Sequence, residues 1–279
     1  MRSKASVLDK QRNWALQVGA MPDARGYLST VEENLFRPMS RRTHDAFRNG
    51  SGSELSDSAR RSAKMKALHS SAVLVVNVFD YWIDQDLDHL VASLDLKAAA
   101  HSIEFEAQFP TGLTGNPPNL DIALRHESGL VVGVESKFTE WLTPKSPRKE
   151  HFKAKYFSHG TELWTSVGLP RAQALASALR NGEASFRYLD AAQLLKHALG
   201  LATGHRGLFS LYYLFYDVAG HESSIHQQEV ERLEHEIGQD VAFHWCTYQE
   251  VFRRLAQAVE PKHGAYVGYL RQRYFNNIA

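Results

Sequence analysis

Apolar positions along the chain change their period several times, and each change marks an element. Through residues 1–60 no period holds: turn-rich punctuation around Asp23-Ala24-Arg25-Gly26, Phe36-Arg37-Pro38-Met39 and Arg48-Asn49-Gly50-Ser51-Gly52-Ser53 leaves room for one short helix near Val7 to Val18. This part reads as an irregular extension, and residues 61–279 as the domain. Over residues 67–83, Leu68, Ala72, Val75, Val76, Phe79 and Ile83 recur at helical spacing, and a second helix follows over residues 84–100. The period then drops to two in Ser102-Ile103-Glu104-Phe105-Glu106-Ala107-Gln108-Phe109, a strand that sets Glu104, Glu106 and Gln108 on one face. Downstream the spacing predicts a short helix at residues 171–180 and an amphipathic one over residues 186–200, closed by Gly200. A fully apolar strand at residues 208–218 and a charged helix at residues 221–238 follow. A strand at residues 240–246 and a helix at residues 247–259, opened by the Thr247/Glu250 capping box, complete the pattern. Tyr266, Tyr269, Arg271, Arg273 and Tyr274 read as a basic, aromatic tail. Alternating strands and helices of this kind predict an α/β protein with three α/β/α layers around a mixed sheet.

Two strand-length runs between these elements carry charges in telling places. Asn119-Leu120-Asp121-Ile122-Ala123-Leu124 and Leu130-Val131-Val132-Gly133-Val134-Glu135-Ser136-Lys137 are separated by the turn His126-Glu127-Ser128-Gly129, so they predict an antiparallel hairpin. Glu135 and Lys137 point the same way from their strand. Antiparallel pairing brings the start of one strand opposite the end of the other, so Asp121 is expected to meet them. Charges in so apolar a strand need a partner or a cation. Two carboxylates suit Mg²⁺, which takes oxygen ligands and keeps waters and substrate phosphate for the rest, and a lysine beside them suits phosphodiester hydrolysis.

On these residues the chain resembles the PD-(D/E)xK nuclease superfamily. Pro118-Asn119-Leu120-Asp121 stands for the first half of its signature and Glu135-Ser136-Lys137 for the second, with 13 residues between Asp121 and Glu135. Within that superfamily it is similar to a group of bacterial restriction endonucleases, on Leu68-His69-Ser70-Ser71-Ala72, Asn77-Val78-Phe79, Pro117-Pro118-Asn119-Leu120-Asp121 and Glu135-Ser136-Lys137-Phe138-Thr139-Glu140. The resemblance implies a Mg²⁺-dependent deoxyribonuclease, with Mn²⁺ as a substitute, that acts on DNA. It makes Asp121 and Glu135 metal ligands and Lys137 the residue that aligns the attacking water. It also implies an upstream acid, for which Glu106 is the first choice and Glu104 the second. Gln193, on the helix after the hairpin, would hydrogen-bond a metal-bound water or a phosphate. Asn77 and His69 can approach this site or serve as structural residues.

Composition changes the picture little, and charge distribution somewhat. With 32 basic and 31 acidic residues the totals balance, but residues 1–70 carry +6, residues 71–140 carry −8 and residues 141–180 carry +5. A negative centre between positive flanks suits cations at the centre and phosphates at the flanks. The most basic window, residues 143–156, interleaves its charges with Phe152 and Tyr156. Together with Trp141 these are candidates for base stacking. A single cysteine, Cys246, excludes a disulfide framework or a cysteine zinc site, and with no apolar leader after Met1 the expected setting is the cytoplasm. No apolar run is long enough for a membrane span. There is no H-E-x-x-H, G-x-S-x-G, P-loop or G-x-G-x-x-G, so zinc protease, serine hydrolase, NTPase and dinucleotide readings lack a motif. Three readings remain: the nuclease, which as a cutter of palindromes would work as a homodimer; a nuclease-fold protein that binds DNA or a protein without cleaving; and an unrelated α/β protein with a solvated charge patch.

Overall fold

A computed structural model describes residues 2–50, 54–97, 99–146, 152–160 and 162–276. The elements run α1 (Arg2–Gln17), α2 (Arg41–Asn49), α3 (Ser71–Phe79), α4 (Asp88–Ser93), β1 (Ala100–Gln108), β2 (Asn119–His126) and β3 (Val131–Lys137). They continue as α5 (Leu163–Ser166), α6 (Pro170–Asn181), α7 (Ala191–His205), β4 (Phe209–Phe215), α8 (His221–Ile237), β5 (Phe243–Thr247), α9 (Tyr248–Ala258) and α10 (Gly264–Arg273). The five strands form one open sheet in sequence order. β1, β2 and β3 pair antiparallel; β3 with β4 and β4 with β5 pair parallel. Parallel neighbours need crossovers, and α5 to α7 and then α8 supply them.

Each sheet face carries its own core. One is packed by α3, α4, α9 and α10, through residues such as Val76, Leu90, Phe252 and Leu270 against Ile122, Val132 and Val134. The other is packed by α5 to α8, through Trp164, Leu175, Leu195 and Leu233 against Ala123, Leu211 and Phe215. The fold is thus an α/β/α sandwich with a mixed sheet. β4 is buried along its whole length, as an apolar strand with helices on both faces should be.

Several sequence expectations change in detail. Among the described residues of the first 60 are the α-helices α1 and α2, and α1 spans 16 residues. Val7 and Phe47 from these helices are buried in the first core, Phe47 tilted against Phe105 of β1. The helix expected over residues 84–100 shrinks to α4. α7 does not start at Phe186 but at Ala191, where the Asp190 carboxylate accepts from the Gln193 amide, and it runs five residues past Gly200. Gly200 is a contact point instead: a Cβ there would sit 2.7 Å from the Phe109 carbonyl oxygen. The supposed C-terminal tail is α10, with Tyr266, Tyr274 and Arg273 buried. Ser51, Gly52 and Ser53, and Pro147 to His151 within the basic window, lie outside the described residues.

Candidate active site

The hairpin forms in the expected register, and its open end is where the charges gather. The backbone ladder between β2 and β3 runs from Arg125 opposite Val131 to Ile122 opposite Val134. One step further, the Asp121 carboxylate replaces the ladder: its Oδ2 accepts the Ser136 amide at 2.7 Å. That bond fixes Asp121 beside the Glu135-Ser136-Lys137 triplet. Ser136 itself points to the opposite face, where its hydroxyl meets the Tyr248 hydroxyl at 2.7 Å in the first core.

Glu135 and Lys137 project to the α7 side. The Glu135 side chain is 3% exposed and that of Lys137 15%. Lys137 Nζ donates to Glu135 Oε1 in a short contact. Glu135 Oε2 faces His197 of α7, whose Nε2 lies 3.0 Å away. The pair is not aligned as a hydrogen bond, and Oε2 and both His197 ring nitrogens are buried without a hydrogen-bond partner. The four side chains Asp121, Glu135, Lys137 and His197 are therefore one electrostatic unit.

The unit's protonation follows from its geometry. Burial, and then the Glu135 charge, push the Asp121 carboxyl well above the ordinary range. Glu135 is driven the other way, to about 2: burial opposes ionisation, but the Lys137 ammonium and then His197 outweigh it. Lys137 is raised, because Glu135 and Asp121 overcome the effect of its own burial. Two carboxylates this close do not both ionise cheaply unless a cation joins them.

The donor set fits such a cation. Glu135 Oε2 is a buried acceptor whose near neighbour, the His197 ring 3.0 Å away, is not aligned to donate to it, and a divalent ion would serve it. Among the described residues no group of three or more His, Cys, Asp or Glu side chains could hold a metal. Two carboxylates that leave the remaining positions to water and phosphate make the donor pattern of Mg²⁺ and not that of zinc.

The two upstream candidates separate. Glu104 forms an exposed ion pair with Arg125 at 2.5 Å, away from the site. Glu106 has a positive φ of 51° and accepts from the Asn119 side chain at 2.7 Å, within electrostatic reach of Asp121 and Glu135. Burial raises its carboxyl despite the Asn119 bond. The end of α2 stands next to it, since a Cβ on Gly50 would lie 3.1 Å from Glu106 Oε2.

Gln193 is half-buried and makes no direct hydrogen bond to Asp121, Glu135 or Lys137. The α7 side chain that reaches Glu135 is His197, one turn further on, which the sequence reading missed. Its signal was there: position 193 plus four on a helix is the same face. Asn77 is a structural residue, bonded to the Phe36 amide, the Asn34 carbonyl and the Tyr274 hydroxyl. Trp141, Phe152 and Tyr156 are not free stacking platforms: all three are buried in the second core, Phe152 and Tyr156 against Trp164, and of the three Tyr156 lines a cavity.

A family model described as restriction endonuclease associating with ARP matches residues 4–275. No curated protein and no solved structure matches the chain.

Proposed function

Because the chain belongs to the family of restriction endonucleases associating with ARP, we propose that it is a metal-dependent endonuclease that hydrolyses DNA phosphodiester bonds, with its active centre at the open end of the β2–β3 hairpin. The observation that carries this reading is the Glu135 carboxylate, nearly sealed from water, with one oxygen on Lys137 and the other a buried acceptor beside His197.

Asp121 and Glu135 would hold Mg²⁺, with Mn²⁺ as a substitute. When bound, the ion supplies polarisation of the phosphoryl oxygen and neutralisation of developing charge. Lys137, fixed by Glu135, presents an ammonium group where it orients the attacking water and steadies negative charge on the phosphoryl oxygens. His197 is a positioning residue: its ring, 3.0 Å from Glu135 Oε2, limits where that carboxylate can turn. Glu106, steadied by Asn119, adds negative potential that favours the cation, and Gln193 stands one turn before His197 to meet a water or a phosphate. Support for cleavage over binding alone is that Asp121 and Lys137 both face Glu135.

The test is nicking of supercoiled plasmid by wild type and Lys137→Ala, with Mg²⁺, Mn²⁺ or EDTA. The expected result is metal-dependent nicking that both EDTA and the substitution abolish. Activity unchanged by Lys137→Ala would remove the site from this hairpin.

A further inference from the structure

The described part of the basic window folds back into a pocket. Lys145, Lys153 and Lys155 meet Lys196 of α7 around a cavity of about 330 Å³, and the facing wall is the turn Asn116-Pro117-Pro118. Four ammonium groups and one carboxylate, Asp190, line it among the described residues. Lys145 is taken up by Asp190, 3.0 Å away. Lys155 Nζ donates to a neutral group, the Thr114 carbonyl, at 2.5 Å. Lys153 is exposed at the mouth. Behind this cationic rim the floor is apolar, made by Phe186 and Leu189.

Such a cavity has the composition of an anion site with a hydrophobic back. Its volume suits a unit the size of one nucleotide and is far too small for a duplex. Both of its walls run into the carboxylate site. Pro118 is followed by Asn119, which holds Glu106, and then by Asp121; Lys196 is followed by His197, which reaches Glu135. A ligand seated here therefore rests on the two segments, the turn before β2 and α7, that also carry the carboxylate site.

We infer that this pocket takes one nucleotide of the substrate strand next to the scissile bond, with its phosphate among Lys153, Lys155 and Lys196 and its sugar and base against the apolar floor. The inference rests on the nuclease reading and adds to it which part of the substrate is gripped and by what. The same phosphate chemistry could come from a free nucleotide acting as an effector, and binding assays tell the two apart.

The experiment is fluorescence anisotropy of a labelled DNA duplex and of its single strand, in EDTA, over a range of salt, beside plasmid nicking. The proteins are wild type, Lys153→Ala, Lys196→Ala, the double variant, and Lys262→Ala as an exposed control. Each pocket substitution is expected to flatten the dependence of log affinity on log salt by about one, and the double variant to bind roughly tenfold more weakly at low salt. Lys153→Arg and Lys196→Arg should restore binding, which loss of fold would not allow. Titration with inorganic triphosphate and a nucleoside monophosphate forms the second arm. Wild-type affinity and salt slope in the double variant, with plasmid nicking intact, would overturn the pocket and leave the nuclease standing. Lysine-dependent micromolar binding of the free nucleotide, with DNA binding untouched, would overturn it in favour of an effector. A wild type that neither binds nor nicks DNA would remove the nuclease reading first and this inference with it.

Discussion

A carboxylate 3% exposed stays ionised only because something beside it compensates the lost hydration, and for Glu135 that is Lys137. The residue-scale predictions follow from this dependence. Asp121→Asn keeps an oxygen to accept the Ser136 amide, so the hairpin end survives while the proposed metal ligand loses its charge. Calorimetric titration with Mn²⁺ should show affinity at least about tenfold weaker than in wild type, with an unchanged melting temperature. Lys137→Ala should lower the rate of the proposed cleavage by about 100-fold or more, measured as single-turnover nicking. A different residue contributes to the acid sensitivity of the fold. Burial holds His226 at about 3, stacked on Trp141 and beside Tyr213. Its folded value lies below its unfolded one, so the neutral ring's stability is complete above about pH 6.5 and is lost as pH falls toward 3. In that window denaturant melts should lose about 1.4 kcal/mol per pH unit from this group, and His226→Phe should flatten the slope.

At the scale of the element, α7 shows how a local signal is misread and what corrects it. A glycine after an amphipathic run reads as a helix stop, but Gly200 is there because α7 crosses the Phe109 backbone too closely for a side chain. Gly200→Ala should cost about 1–3 kcal/mol in chemical denaturation, where an open helical glycine would gain from the same change. The true start was legible: Asp190 followed three residues later by Gln193 is a capping pattern, and Asp190 does cap. α9 offers the opposite case. Its Thr247/Glu250 box is visible in sequence and complete in the structure. Thr247→Ala should therefore lower stability by about 1 kcal/mol.

At the scale of the molecule, the chain's two ends are locked together through Arg273. This buried guanidinium donates to the Asn34 carbonyl at 2.7 Å, to the Tyr269 hydroxyl at 2.7 Å and to Gln11 at 3.1 Å, and lies 3.9 Å from the Trp14 ring. Every one of its partners is neutral, so the stabilisation lies in hydrogen bonds and ring contact and not in ion pairing. Arg273→Ala strands several buried acceptors at once and should cost about 3 kcal/mol or more, read as a fall in melting temperature. α1 and α10 should loosen together, visible as faster amide exchange in both.

The layer order, the hairpin with its register and the placement of Asp121, Glu135 and Lys137 at one end of it were all legible in the sequence. Strand and helix periods are local, and a short turn leaves an antiparallel pair little choice of register. What the tertiary structure alone decided are contacts between positions far apart in the chain: His197 brought to Glu135 by α7, the lysine pocket closed between α7 and the turn before β2, the burial of Trp141, Phe152 and Tyr156, and the Arg273 lock between the first 34 residues and the last helix. No period or spacing encodes these, because each depends on how helices seat on the two faces of the sheet, and that is settled by packing of side chains from the whole chain at once.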